Sequence, residues 1–278
     1  MIKKLSNIIY KILLFHRLKK STYEKVFFDK SDFILLTIAF NNLEVLTIQH
    51  RYLKELLKDP FDYVIADNSS KKEDSLKIRL FCEQNKISYI KIPNNPLTNI
   101  RASGSHGVAL NWCHRNIIKK YKPKYFGFLD HDIFPIKEVS IVGNLGSGFY
   151  GVIRNKKEPY WYMWPGFSFY AYEKSSKYSF NFFPHHSGLA GETFLDTGGS
   201  NFYSIYRKVG KQNIQIAQSR LINMITGKAL EKGEDSSQTF EIIDGSWLHL
   251  RQISWREESS GKLGELDKII DVANKFTN

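Results

Sequence analysis

The sequence predicts an α/β protein built on a mostly parallel central sheet, and three observations lead there. Apolar, β-rich runs recur at 32–42, 61–70, 87–96 and 125–136. Each is separated from the next by one segment of helical periodicity, which implies parallel pairing through single-helix crossovers. Three of the four runs also end in polar residues at their carboxyl ends: Asn41-Asn42, Asp67-Asn68-Ser69-Ser70 and Asp130-His131-Asp132.

Taken in order, "DFILLTIAFNN" (32–42) is the first strand and "LEVLTIQHRYLKELLKD" (43–59) the first helix, stopped by Pro60. "FDYVIADNSS" (61–70) is the second strand, "SLKIRLFCEQNK" (75–86) a helix, and "ISYIKIPNNP" (87–96) the third strand with a turn-forming end. A loop containing Gly104 and Gly107 leads into a helix over 108–122, which Pro123 ends just before "YFGFLDHDIFPI" (125–136), the fourth strand. No repeat, low-complexity tract or linker interrupts the chain. The reading is therefore a single domain over 31–255, in two halves at 31–135 and 136–255. An N-terminal extension at 1–30 and a helical tail at 256–278 flank it.

The 278 residues are enough for one large core, and 42% hydrophobic with 24% charged residues is ordinary for a globular protein. Two cysteines, Cys82 and Cys113, exclude a disulfide framework and point to a reducing compartment. The net charge of +12 is uneven: residues 1–20 hold Lys3, Lys4, Lys11, Arg17, Lys19 and Lys20 and no acid. Ile2, Leu5, Ile9, Ile12, Phe15 and Leu18 recur there at helical spacing, so the segment reads as a basic amphipathic helix. Its apolar run is too short to span a bilayer, and Lys11 breaks any signal-peptide core. It suits either an anionic membrane surface or a solvated helix packed on its own domain. The remaining charges are interspersed, with no stripe or motif for nucleic acid, which is not an expected partner.

In open parallel sheets ligands bind beyond the carboxyl ends of the strands, so the polar ends should rim one crevice. Capping or an Asx turn explains "DNSS" well. It explains Asp130-His131-Asp132 badly, because Ile133, Phe134 and Pro135 follow and no helix needs a cap. Two carboxylates one residue apart cost several kcal/mol to bury without a compensating cation or donors. An extended segment would turn His131 to the opposite face, which leaves it no role.

"VIADNSS", "GVALN" (107–111) and "FGFLDHD", in this order and spacing, resemble the GT-A-fold glycosyltransferases, especially the family 2 type, over roughly residues 32–135. The resemblance implies a three-layer α/β sandwich and transfer of a sugar from a nucleotide-diphosphate donor, a UDP-sugar first of all, to a glycan or lipid-linked acceptor. It implies Mn2+ or Mg2+ bridging the diphosphate as a Lewis acid. Carried over residue by residue, Asp132 becomes the direct metal ligand and Asp130 contacts the ribose or a metal-bound water. Asp67 becomes the acceptor of a base N–H, and Thr37, Ala39 and Asn41 line the nucleoside, with Asn68 and Asn111 on the same donor surface. The resemblance also implies a further metal ligand from the C-terminal region, a place that His249 fits.

Beyond residue 136 the signals are thinner. In "IIDGSWLHLRQISW" (242–255), Trp247, His249 and Arg251 share one face of an extended strand, where Arg251 can pair with a phosphate. The bland reading is a half-buried strand with a satisfied histidine. "YWYMWPGFSFYAY" (160–172) is dense in aromatics; Trp161 and Trp164, with Trp247, could form an acceptor platform, or the segment could be core. "HHSGLAGETFLDTGGSN" (185–201) lacks a recognisable zinc spacing, but an inverting transferase needs a carboxylate base, for which Asp196 comes first and Glu192 second. The resulting expectation is a cytoplasmic enzyme of cell-surface polysaccharide synthesis, peripheral at the inner face of the plasma membrane. Two alternatives are a nucleotidyltransferase, disfavoured because "TIAFNNLEV" lacks a glycine-rich basic phosphate loop, and a glycan-binding module without activity.

Overall fold

Alternate residues of one strand decide how the layers form. In the computed structural model, which describes residues 24–26, 31–93, 95, 97–98, 101–187, 193–231, 236, 238–251 and 261–276, strand β2 spans Phe33–Ala39 and is buried throughout. Its Phe33, Leu35 and Ala39 pack toward helices α1 (Leu43–Leu56) and α2 (Lys72–Gln84). Ile34, Leu36 and Ile38 pack on the other face against α3 (Ala102–Cys113). A strand apolar on both faces must be covered on both, and that produces helix–sheet–helix layering.

The remaining strands are β1 (Glu24–Lys25), β3 (Asp62–Asp67), β4 (Ser88–Lys91), β5 (Tyr125–Leu129), β6 (Ile133–Pro135), β7 (Phe149–Asn155) and β8 (Trp161–Ala171). They are followed by β9 (His185–Ser187), β10 (Thr193–Leu195), β11 (Gln215–Ile216), β12 (Ser219–Asn223), β13 (Thr239–Ile243) and β14 (Trp247–His249). The central sheet runs β1-β4-β3-β2-β5-β8-β7-β11, and β4, β3, β2 and β5 are mutually parallel. β8 is antiparallel to both β5 and β7, so the carboxyl ends of β5 and β7 and the start of β8 share one edge of the sheet. A second sheet, β12-β13-β14-β6, is antiparallel throughout and meets the first at that edge.

The α/β class and the parallel half thus stand as read from the sequence, with two corrections and one open reading resolved. The run 125–136 is not one strand: it breaks at residues 130–132 into a turn, and β6 leaves for the second sheet. Gly104 and Gly107 lie inside α3, not in a loop before it. Gly107 is required by close packing, since a Cβ there would stand 2.6 Å from the Phe182 carbonyl oxygen. The aromatic segment 160–172 is chiefly core, as the long strand β8.

A third apolar cluster joins helix α4 (Leu266–Asn274), through Leu266, Ile269 and Ala273, to Val45 of α1, Phe134 of β6 and the β12–β14 strands. No helix among the described residues is long and apolar enough to cross a membrane. The basic stretch 1–20, Glu192 and residues 252–260 lie outside the described residues.

Candidate active site

The carboxyl edge of the parallel strands opens into a cleft of about 470 Å³. Its walls carry Asn68 after β3, His106 of α3, Asp130-His131-Asp132 after β5, and Arg154 and Lys156 at the end of β7. Tyr162 and Trp164 of β8, Asp196, Glu241 of β13, His249 of β14 and Arg251 complete it.

The 130–132 turn is pinned from below. Gln49, wholly buried on α1, donates both amide hydrogens to main-chain oxygens, 2.8 Å to Asp130 and 2.7 Å to Ile133. Its own oxygen accepts from the Tyr63 hydroxyl at 2.6 Å and from Thr37 Oγ1 at 3.3 Å. From above, the Asp130 N–H donates to the Gly166 carbonyl at 2.8 Å, and Asp132 O accepts from the Leu250 N–H at 3.0 Å. Gly166 admits the acid, because a Cβ there would lie 2.5 Å from Asp130 Oδ2. Because this is a turn and not an extended segment, His131 also faces the cleft, contrary to the sequence expectation.

Asp132, in the turn between β5 and β6, and His249, on the strand β14 that pairs with β6, meet with Nε2 3.5 Å from Oδ1, at 6% and 7% exposure. Behind them runs a chain of charge-assisted bonds. His249 Nδ1 lies 2.8 Å from Glu241 Oε2, and Arg154 donates to both Glu241 oxygens at 2.8 and 2.9 Å. Arg154 in turn lies over the Trp164 ring at 4.5 Å, and that ring packs on His249 at 5.1 Å. Burial alone would raise the Glu241 carboxyl; the bonds from His249 and Arg154 outweigh it and hold the group well below the usual carboxylate range. Burial raises the Asp130 carboxyl, against the pull of His106, whose Nε2 lies 3.5 Å away; Asp132 adds to the rise.

Among the described residues no three His, Cys, Asp or Glu side chains already converge as a metal cage. The donor chemistry of the Asp132–His249 pair nevertheless fits a hard or borderline divalent cation. A buried carboxylate and a ring nitrogen lie side by side, and the other ring nitrogen is fixed by a carboxylate, the usual support of a ligating histidine. Asp132 receives no side-chain hydrogen bond from the described residues, and its buried charge is met by His249 and, at longer range, by the Arg251 guanidinium.

The other sequence-chosen residues divide. Asn68, Asp130, Asp132, Trp164, Asp196, His249 and Arg251 share the cleft. Asp67 does not line it. One of its oxygens accepts from the Ser69 N–H in an Asx turn at 2.8 Å, and the other from Ser75, from Tyr89 at 2.7 Å and from Lys91 at 3.1 Å. Thr37 points to the α1 side by strand parity and serves Gln49, and Ala39 is core beneath the cleft. Asn41 braces the 68–71 loop, accepting from the Ser70 and Lys71 N–H groups at 3.0 and 3.2 Å. Asn111 accepts from the Phe182 N–H at 3.0 Å. Trp247 is core against Phe167, and Trp161 lies at a second pocket. Asp196 Oδ1 accepts from the Thr197 N–H at 2.7 Å.

Gln49, Arg154 and Glu241 were not expected from the sequence, yet two of them left a signal. Glu241 interrupts an apolar strand in "TFEII", and Gln49 sits on the apolar face of its helix beside Val45 and Leu53.

This strand order, parallel through β5 and then switching to antiparallel strands, is a mixed α/β sheet similar in type to the GT-A fold that the sequence resembles, and the acid pair lies at the switch. No protein-family model and no curated protein matches the chain. Solved structures similar to it include a mannosyltransferase from Pyrobaculum calidifontis in complex with GDP-Man and Mn2+ (TM-score 0.37, 11% identity, 61% of this chain and 53% of that one). Others are the galactosyltransferase LgtC (TM-score 0.37, 11% identity, 52% and 60%) and the mannosyltransferase Ktr4p from S. cerevisiae (TM-score 0.37, 9% identity, 60% and 65%). The chain covers less than two thirds of the length of each.

Proposed function

We infer that this protein is a metal-dependent glycosyltransferase that moves a sugar from a nucleotide-diphosphate donor, a UDP-sugar first of all, to a glycan or lipid-linked acceptor. The observation that carries the reading is the buried Asp132–His249 pair at the carboxyl edge of the parallel strands, with Glu241 fixing the ring from behind. Asp132 and His249 would hold Mn2+ or Mg2+, which supplies Lewis-acid stabilisation of the charge that grows on the departing diphosphate. Lys156 and Arg251, on the same cleft, offer cationic donors to phosphate oxygens. Asp196, which also lines the cleft, would take the proton of an acceptor hydroxyl, and Trp164 would offer a ring face to a sugar.

Asp132→Ala should abolish Mn2+-stimulated release of nucleotide from a panel of UDP- and GDP-sugars while the variant still melts cooperatively. Undiminished turnover by a folded variant would remove the metal assignment. The basic stretch 1–20 adds to this reading a contact with an anionic lipid surface at the cytoplasmic face of the membrane, where polysaccharide synthesis could draw on its donor. Deleting residues 1–20 should cut co-sedimentation with phosphatidylserine-containing vesicles and leave donor hydrolysis intact. Equal partitioning of both proteins would end that part.

A further inference from the structure

Away from the cleft, a second pocket of about 530 Å³ lies between the β7–β8 turn and the helical segment Phe202–Tyr206 with its continuation to residue 212. Nothing in the proposed reaction uses it. Four aromatic side chains line it, Tyr160 and Trp161 from the β7–β8 hairpin and Phe202 and Tyr203 from the helical segment; Trp161 and Phe202 are buried, and Tyr160 and Tyr203 are half-buried. They brace one another, with Tyr160 and Phe202 centroids 5.5 Å apart and Phe202 and Tyr203 5.0 Å apart, so the walls are set before any ligand arrives. Two cations stand at the pocket on those rings, Lys211 5.3 Å from the Trp161 ring and Arg207 5.8 Å from the Tyr203 ring. Arg207 is exposed and forms no ion pair with a described residue, while Lys211 bonds only the Asn155 amide oxygen at 2.8 Å. One exposed acid, Glu158, also lines the pocket, so the cations prevail.

We propose that this pocket binds an acidic sugar unit of a glycan chain. Sugar rings present C–H faces to aromatic planes, and a carboxylate or phosphate substituent would meet Arg207 and Lys211 beside the Tyr203 and Trp161 rings. The pocket's volume falls within the range of small-ligand sites, and it is an open depression with two cations, whereas a nucleic acid strand needs a continuous basic track along its phosphates. The cleft and the pocket share one hairpin, with Arg154 and Lys156 on the cleft and Tyr160 and Trp161 on the pocket. By strand parity Arg154 and Tyr162 face the cleft and Trp161 the opposite side, so a chain bound at both sites would pass around that hairpin. The choice of carbohydrate over other anionic ring compounds rests on the transferase reading; the pocket and its charge do not.

Binding to the full chain is measured calorimetrically with a tetragalacturonate, a maltotetraose and a hexathymidylate. The acidic tetrasaccharide should bind at least about tenfold more tightly than the neutral one, the worth of one charge-assisted contact. Arg207→Gln, on an exposed side chain, and Tyr203→Ala should each erase most of that preference, whereas Asp132→Ala should leave it unchanged. The inference is overturned if neither saccharide binds, if both bind equally, if the oligonucleotide is preferred, or if Asp132→Ala alone removes binding, which would return the ligand to the cleft. Because no donor turnover is read, failure here is distinct from failure of the transferase reading.

Discussion

Glu241 is 1% exposed, and an anion so placed persists only where donors surround it. Arg154 supplies two such bonds and His249 the third, so the guanidinium balances the carboxylate's charge while the carboxylate fixes the imidazole ring. Glu241→Gln keeps the shape and removes the charge that orients the ring. It should weaken Mn2+ binding, followed by the loss of the free-ion electron spin resonance signal, by about tenfold or more. Circular dichroism should change little, and an unaltered titration would reduce Glu241 to a packing role. Asp67 illustrates the opposite outcome for a buried acid. Burial raises its carboxyl, but Lys91 and the bonds from Ser69 and Ser75 prevail and hold it below the ordinary value. Its oxygens are occupied by its own protein, so it organises the loop that presents Asn68 to the cleft.

At the scale of elements, the irregular continuation of α3 is informative. After Cys113 the helix widens into a π turn over His114–Ile118, which places His114 among Phe126, Phe180 and Phe182, with the Phe180 centroid 4.4 Å away. Burial, reinforced by Lys119 and Arg115, lowers the His114 pKa to about 3, so the folded protein holds it neutral. The unfolded chain binds its proton near pH 6.5. Folding stability is therefore complete above about pH 6.5 and falls as pH drops toward 3, by up to about 1.4 kcal/mol per pH unit from this group. In urea unfolding between pH 7 and 4.5, His114→Phe should flatten that slope relative to the parent. Parallel slopes would show that other groups govern acid sensitivity. The π turn itself was not legible: the sequence shows helical periodicity through 108–122, and the extra residue is a response to the aromatic cluster packed on it.

Across the whole molecule, the cleft is a junction of two sheets. Asp130 and Asp132 close β5 of the large sheet, while Glu241 and His249 ride on the antiparallel sheet, opposite each other in its register. What holds that second sheet is the third core, where Ile269 of α4 packs with Phe134, Ile242 and Leu248. Ile269→Ala should cost about 2–5 kcal/mol, read as a lower urea midpoint at unchanged slope. A loss under about 0.5 kcal/mol would show that α4 contributes little to the fold. The parallel half was legible from the sequence because its apolar runs and helices are contiguous. The antiparallel half was not, since β6, β13 and β14 are short and pair with partners more than a hundred residues away in the case of β6 and β14.

By itself the sequence determined the α/β class, the four parallel strands and the edge at which chemistry gathers. Those properties rest on local periodicity and on polar residues at strand ends, which no distant contact alters. Only the tertiary structure decided which polar residues serve the cleft. Asp67 and Asn41 turned inward to loop bonds, Thr37 fell to the α1 face, and Arg154, Glu241 and His249 were joined across 87 and 8 residues of chain. A side chain's role depends on the donors and charges that close around it, and these are supplied by strand pairing between segments remote in sequence.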